Sequence, residues 1–490
     1  MIGGRWRGVP FASMALGLLF VLFAARAMLM PASGDTYWHL RAGADIVRTG
    51  AVPHVETYSF TAAGHPWREH EWLWDPISYT LYRLGGMPLL TLFGAALAVA
   101  TLVLIHRLMI GPAWIRMPLL MLLLVFVGPL WVLRPQLFTF LAVPLLMTLL
   151  ARERFWPIPA LFVVWANMHG AVALGGIVLG AATAAALLRW RVRRTPGDRR
   201  RALALAVVLP ASALACLATP QGAGMFHFLA DSMVRIHAVG IGEWQRPSPK
   251  DPYGAIFFIV VLGLAVLLVV RRRALRAGGH ASSWTDWAMV AGAVALVPLA
   301  MTAVRNVGVF ALVAIPAASR LLGPDVAVRL PWRKAREPGP DGDRPVANLI
   351  VLGVAALGAL AFVGWSYRSR APMLGWQPID ARAIQALRAC DGPLYNQYDE
   401  GGYLIWFVPE KPVFVDNRQD PYPIEHIRAQ LDVQWGAASY RPLFERWGIR
   451  CAFLPLTSTT TVAALGRDGW VTRYRDDTYM VLSAPARPSR

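Results

Sequence analysis

Apolar residues arrive along this chain in long unbroken blocks rather than at alternate positions. Eleven such blocks lie near 10–30, 87–106, 117–133, 135–151, 156–168, 170–188, 202–219, 254–270, 285–303, 306–322 and 346–366. About 20 apolar residues in a helix cross a hydrocarbon core, and most of the blocks have roughly that length. The pattern predicts a polytopic α-helical membrane protein of about eleven spans. The first block follows Arg5 and Arg7 and has a polar exit, so it reads as a retained helix and not as a cleaved signal peptide.

Two stretches break the pattern. Residues 31–86 form a polar first loop. After the last block the chain turns mixed: a helix over 381–390, strands over 393–398, 403–408 and 412–416, helices over 424–435 and 442–448, a strand over 451–456, then a helix and a hairpin. This divides the chain into a membrane domain at 1–366, which includes the loop, and a small α/β domain at 367–490.

Arginine placement orients the walk, because cytoplasmic connections carry the excess of basic residues. One alternating set of connections holds Arg5 and Arg7, Arg107 and Arg116, Arg152 and Arg154, the run from Arg189 to Arg201, Arg271 to Arg273 with Arg276, and the run from Arg329 to Arg344. That set is expected in the cytoplasm. The other set comprises loop 31–86, the turn at Arg134, the turn from Asn167 to Gly170, loop 220–253 and the turn at Arg305. It is expected outside, with the C-terminal α/β domain extracytoplasmic and the N-terminus cytoplasmic, as in a multi-pass protein of a bacterial inner membrane.

Composition agrees with this class. The chain is 56% hydrophobic and 16% charged, against about 25% charged in soluble domains. Its net charge of +19 is almost all arginine, since Lys250, Lys334 and Lys411 are the only lysines. These charges flank the apolar blocks and form no stripe on a soluble domain, which argues against a nucleic-acid partner. Cys216 falls inside a block, whereas Cys390 and Cys451 fall in the outer domain, where a disulfide persists if the two thiols meet.

The polar groups that packing explains least gather on the expected outer side. In loop 31–86, Tyr37, Trp38, Leu40 and Ile46 have helical spacing, so Asp35 is near the start of an amphipathic helix, and a second, aromatic-rich one begins around Trp67 to Trp72. An interfacial belt accounts for the tryptophans, but less well for Asp35, His39, His70, Glu71 and Asp75. An Asp at a helix start is a cap, a general base or a ligand for a divalent cation. Arg134 (in LWVLRPQLF), Asn167 and His169 (in WANMHG) and Arg305 (in TAVRNVG) sit at outer ends of blocks. A lone arginine there reads as snorkelling to headgroups; two with Asn-x-His-Gly read as a phosphate site. Glu243, in GEWQRPSP, is a further acid at that level. Together these elements suggest a cavity at the outer leaflet. In the C-terminal domain, Tyr398 and Asp399 precede Gly401 and Gly402, which read as a tight turn open to a ligand. Asp416 and Arg418 follow a buried strand, a usual place for functional polar groups; an ordinary turn and strand cap is the plainer reading.

Three of these stretches resemble the GT-C superfamily of membrane glycosyltransferases, which take sugars from polyprenyl-phosphate carriers. DTYWHLRAGADIVRTGAVP resembles the first external loop of oligosaccharyltransferase catalytic subunits, HPWREHEWLWD its later part, and YDEGGYLIW with FVDNRQ the WWDYG-type motif and the Asp-Asn segment after it. The paired tryptophans are absent, and the second outer connection lacks the family's Asp-x-Asp. The resemblance therefore leaves both a divalent metal and a metal-free mechanism open. It implies an enzyme that moves a sugar from a polyprenyl-phosphate carrier, among membrane lipids, to a glycan, lipid or protein acceptor. It gives Asp35 the role of base, with His39, His70 and Glu71 as alternates, and Arg134 and Arg305 the carrier phosphate. Asn167 and His169 would orient the sugar, and Tyr398, Asp399, Gly401, Gly402, Asp416 and Arg418 would meet the acceptor. One alternative is a non-catalytic GT-C-like protein that binds lipid-linked glycan or a partner in envelope assembly. A transporter is disfavoured by the lack of an internal repeat and of charge deep in the blocks.

Overall fold

The computed structural model describes residues 9–227, 231, 242–277, 283–329 and 344–485, with side chains as far as 272 and 322 in the two helices that run to 277 and 329. Each of the eleven apolar blocks carries a helix. These are α1 (Phe11–Ala27), α3 (Trp74–Leu108), α4 (Ala113–Val127), α5 (Gln136–Ala151), α6 (Ile158–Met168), α7 (Val172–Arg193), α8 (Pro196–Ala215), α9 (Pro252–Ala277), α10 (Trp284–Ala300), α11 (Val304–Arg329) and α12 (Pro345–Ser369), while α2 (Gly34–Thr49) lies in the first loop. Among the described residues, six helices are long and apolar enough to cross a membrane: α3, α4 with the turn after it, α7, α9, α11 and α12. The apolar α1, α5, α6 and α10 are shorter. The chain is a multi-pass helical membrane protein.

Chain contacts divide it into two units. The first comprises Met1–Met30, Thr91–Gly222 and Ile241–Arg370; the second comprises Pro31–Leu90, Ala223–Gly240 and Ala371–Arg490. In the first unit α11 packs on α10, α4, α9 and α5, and α7 packs on α10 and α8. The apolar window of α11 is 78% buried, whereas those of α9 and α12 are 17% and 11% buried. So α11 is the centre of this bundle, and α9 and α12 present bare apolar flanks of the kind that lipid covers. Two ion pairs tie helix ends: Arg189 Nε lies 2.6 Å from Asp198 Oδ1, and Arg320 Nε 2.5 Å from Asp286 Oδ1. Most of the arginine run at 329–344, and much of loop 220–253, lie outside the described residues.

The second unit joins the first loop to the C-terminal segment. Its further elements are α13 (Ala381–Arg388), β1 (Leu394–Asn396), α14 (Gly401–Phe407), α15 (Ile424–Gln434), α16 (Tyr440–Trp447), β2 (Cys451–Pro455), α17 (Thr459–Arg467), β3 (Val471–Arg475) and β4 (Tyr479–Ser483). The sheet runs β1-β2-β4-β3, with β1 parallel to β2 and the other pairs antiparallel. Trp38 and Trp67 of the first loop share one apolar core with Leu387, Leu404, Phe453 and Val481. Cys390 and Cys451 form a disulfide in that core, with their Cα atoms 5.9 Å apart.

Four sequence expectations change here. The run at 403–408 is helix α14 and not a strand, since an apolar run of that length fits either element. Gly401 and Gly402 lie in that helix and make no open turn: a Cβ on Gly402 would overlap the carbonyl of Gly34, and one on Gly401 the carbonyl of Val415. The small size of Gly402 lets α14 press on α2, and that of Gly401 lets it press on the backbone at Val415 and Asp416. The segment at 412–416 joins no sheet strand; Val413 N–H donates to Tyr58 O at 2.9 Å and Phe60 N–H to Val413 O at 3.2 Å. Finally, the second helix of the first loop starts at Trp74, not at Trp67 to Trp72, and bends at Gly85 and Gly86. Gly86 has φ +62°, which glycine adopts without strain.

Candidate functional site

Each unit holds a cluster of candidate side chains. In the first unit the cluster is cationic. Arg134 is fixed just ahead of α5, where its N–H donates to Val132 O at 2.8 Å and Pro135 follows. Arg305 stands in the first turn of α11. Between them lies Glu243, in a short turn at Gly242–Trp244. That turn is pinned because Val304 N–H donates to Gln245 O at 2.9 Å. Glu243 Oε1 is 3.4 Å from Arg305 Nη1, and Oε2 is 3.8 Å from Arg134 Nη1. The guanidinium carbon of Arg305 sits 4.2 Å from the centre of the Trp244 ring, a cation–π contact. Two arginines from separate elements thus meet at one anionic group.

Asn167 and His169 serve the bundle's own framework. The Asn167 amide donates to Val163 O and Ala218 O, each at 2.8 Å. The Thr139 hydroxyl lies 2.8 Å from His169 Nδ1 and accepts from Trp165 Nε1 at 2.8 Å. Both residues are buried. These bonds fix the C-terminal end of α6.

In the second unit the cluster is acidic. The start of α2 is capped: Ser33 N–H donates to Thr36 Oγ1 at 3.0 Å. Asp35 follows in the first turn, half-buried, with Trp38 Nε1 3.4 Å from its Oδ1. A Cβ on Gly34 would crowd the carbonyl of Asp399 and the side chain of Asn417. Tyr398 is buried there and donates its hydroxyl to Asn417 O at 3.3 Å. Burial pushes the Tyr398 phenol well above its usual range, helped by the charges of Asp35, Asp399 and Asp416. The fold therefore brings Asp35 together with Tyr398 and Asp399, from motifs at opposite ends of the chain.

His39 lies one turn further along α2 and is buried. Its Nδ1 is 2.6 Å from Asp75 Oδ1, and its Nε2 is 3.5 Å from Glu71 Oε2. Gly43 permits this, because a Cβ there would overlap the backbone of Asp75. His70 Nε2 lies 3.6 Å from Glu71 Oε1, and Glu71 N–H donates to Glu69 Oε1 at 2.9 Å. Burial raises the Glu69 carboxyl and pushes His70 down to about 4. His39 is thus flanked by two buried acids, Asp75 and Glu71. Glu69 and Glu400 were not picked out by the sequence reading. Glu400 is buried beside Asp399, and burial, then the Asp399 charge, push its carboxyl up to about 8. Its Oε2 has no hydrogen-bond partner among the described residues. The signal was an acid between Asp399 and two glycines.

Asp416 and Arg418 point inward. Arg418 donates from Nε and Nη2 to the two Asp416 oxygens at 2.8 and 2.6 Å, and its Nη1 is 2.6 Å from Glu56 Oε2. Its guanidinium lies 4.8 Å from the Tyr58 ring centre and 4.5 Å from that of Trp67. Tyr422 donates its hydroxyl to Asp416 at 2.6 Å. Among the described residues, no group of three or more His, Cys, Asp or Glu side chains is arranged to hold a metal ion.

No protein-family model and no curated protein matches the chain. Solved structures do. The chain is similar to the archaeal oligosaccharyltransferase AglB from Archaeoglobus fulgidus in complex with an inhibitory peptide and a dolichol-phosphate, with a TM-score of 0.52, 11% identity, and coverage of 91% of this chain and 70% of that one. It is also similar to the Archaeoglobus fulgidus oligosaccharyltransferase complex with Zn and sulfate, with a TM-score of 0.51, 12% identity, and coverage of 90% and 68%. ArnT from Cupriavidus metallidurans bound to undecaprenyl phosphate matches with a TM-score of 0.49, 15% identity, and coverage of 97% and 98%. At these identities the likeness is one of fold: the chain shares the fold of the archaeal oligosaccharyltransferase.

Proposed function

We propose that this GT-C-like chain is a membrane glycosyltransferase that moves a sugar from a polyprenyl-phosphate carrier to an acceptor at the outer face of a bacterial inner membrane. The observation that carries the reading is the meeting of Arg134 and Arg305 at one anionic group. Two guanidinium groups converging on one anion suit a phosphate, which accepts from several donors at once. When the sugar leaves its carrier, negative charge grows on that phosphate, and cations fixed in advance stabilise it without reorganising. The similar archaeal protein was solved with a dolichol-phosphate, which agrees with a lipid phosphate as the ligand.

Asp35 is assigned the base. It is half-buried at the start of α2, where a negative charge faces the positive end of a helix. The acceptor hydroxyl gives its proton to the Asp35 carboxylate as its oxygen bonds the anomeric carbon. The bond from that carbon to the carrier phosphate breaks, and the electron pair leaves with the phosphate. Tyr398 and Asp399 flank Asp35 and receive the acceptor. His39, with Asp75 and Glu71, anchors α2 so that Asp35 keeps its place. The domain at 367–490 is assigned to the extracytoplasmic side, supported by its disulfide, which lasts in an oxidising compartment. The acid-free turn at 131–135 favours a second reading, a non-catalytic GT-C-like protein that binds lipid-linked glycan.

The test is sugar transfer from a panel of radiolabelled polyprenyl-phosphate sugars, in membranes carrying wild type or Asp35→Asn. Loss of a positioned general base costs on the order of 100-fold or more, so the expected result is wild-type transfer that falls at least that far in the variant. Carrier binding with no transfer from any donor, in both proteins alike, would replace the enzyme by the binding protein.

A further inference from the structure

Two guanidinium groups held near one another repel, and in this protein Glu243 stands between them. One of its carboxylate oxygens is directed to each arginine, at 3.4 Å to Arg305 Nη1 and 3.8 Å to Arg134 Nη1. These contacts are loose. Elsewhere in the molecule, Arg418 grips Asp416 at 2.6 and 2.8 Å, within the usual range of charge-assisted bonds. Glu243 is also open to water: its side chain is 35% exposed, and those of Arg134 and Arg305 are 24% and 22% exposed. A pair of this kind contributes little and exchanges readily. The backbone beneath it is fixed separately, by the bond from Val304 N–H to Gln245 O at 2.9 Å and by Trp244 under the Arg305 guanidinium. The carboxylate can therefore swing out while its turn stays in place.

We propose that Glu243 is a built-in competitor, an internal anion that fills the phosphate position between Arg134 and Arg305 until a lipid phosphate displaces it. The inference rests on the assignment of those arginines to the carrier phosphate. In the empty protein Glu243 keeps the two cations together and closes the position to small free anions. Being tethered, it competes at a high effective concentration. A free phosphate, held by charge alone, displaces it poorly. A phosphate on a prenyl chain gains additional apolar contacts and displaces it.

The experiment measures binding of farnesyl phosphate to the purified full chain in detergent, with inorganic phosphate as competitor. The proteins are wild type, Glu243→Gln, Arg134→Gln and Arg305→Gln. Removing one partly exposed carboxylate is expected to tighten farnesyl phosphate binding by about three- to tenfold. Inorganic phosphate should compete more strongly against Glu243→Gln than against wild type. Each arginine variant should bind farnesyl phosphate more weakly. Glu243→Ala, which leaves no amide to bridge the arginines, should tighten binding in the same direction and stands in if the Gln variant folds poorly. If the arginine variants weaken binding while both Glu243 variants leave it unchanged or weaker, Glu243 positions the cations, and the competitor role is overturned with the phosphate site intact. If the arginine variants bind as well as wild type, the phosphate site itself is lost, and the inference with it.

Discussion

Arg418 turns its guanidinium inward, between Tyr58 and Trp67, and pairs with Asp416 and Glu56. Removing one partner of a buried pair leaves the other charge uncompensated, at a cost of roughly 3–5 kcal/mol. Arg418→Ala is therefore expected to lower the thermal midpoint of the purified protein sharply, whereas a midpoint within a degree or two of wild type would place Arg418 outside the framework. From the sequence, Asp-Asn-Arg after an apolar run looked like a site for ligand. The partner that explains it, Glu56, lies far away in the chain, and no spacing rule connects the two. Glu400 makes a second test at this scale. Its carboxyl is pushed from 4.5 to about 8 in the folded chain, so the folded state holds a proton that the unfolded state has released. Its contribution is complete below pH 4.5 and is lost as the pH rises through about 8, in the direction set by linkage. The expected outcome is a thermal midpoint that falls between pH 5 and pH 9 in wild type, and falls less in Glu400→Gln. Equal slopes in the two proteins would remove Glu400 from the balance.

The apolar blocks were readable as helices because a run of about 20 apolar residues has few other stable forms. The shorter run YLIWFV was not readable, since its pattern suits a strand or a helix equally. The choice of helix depends on tertiary fit: Gly402 lets α14 lie against the start of α2, at Gly34. This contact also sets where Asp35 stands relative to Tyr398 and Asp399. Gly402→Ala adds a methyl where there is no room, and overpacking of that kind costs about 1–3 kcal/mol. The helices must separate to accept it. Sugar transfer is therefore expected to fall at least tenfold in Gly402→Ala, while binding of farnesyl phosphate, assigned to the first unit, stays near wild type. A loss of both together would mean that the substitution disturbs the whole fold and not this contact.

At the scale of the whole chain, sequence reading separated the membrane blocks from the C-terminal segment but could not foresee that the first loop shares a core with it, through Trp38 and Trp67. Nor could it decide whether Cys390 and Cys451 meet, since spacing does not fix approach. Their pairing in the fold bears on orientation, because cytosolic thiols are kept reduced while outer compartments allow disulfides to persist. The arginine bias points to the same side for residues 367–490, and it does so independently of the cysteines. The two arguments can be tested together by counting thiols. The chain has 3 cysteines, of which Cys216 is unpaired and buried among the described residues. Protein taken from intact cells, trapped with acid and denatured without reductant, should accept one maleimide per chain, and all three cysteines should react after reduction. Three labels before reduction would mean that the domain matures among reduced thiols. The arginine rule would then fail for this chain, and with it the assignment of sugar transfer to the outer face.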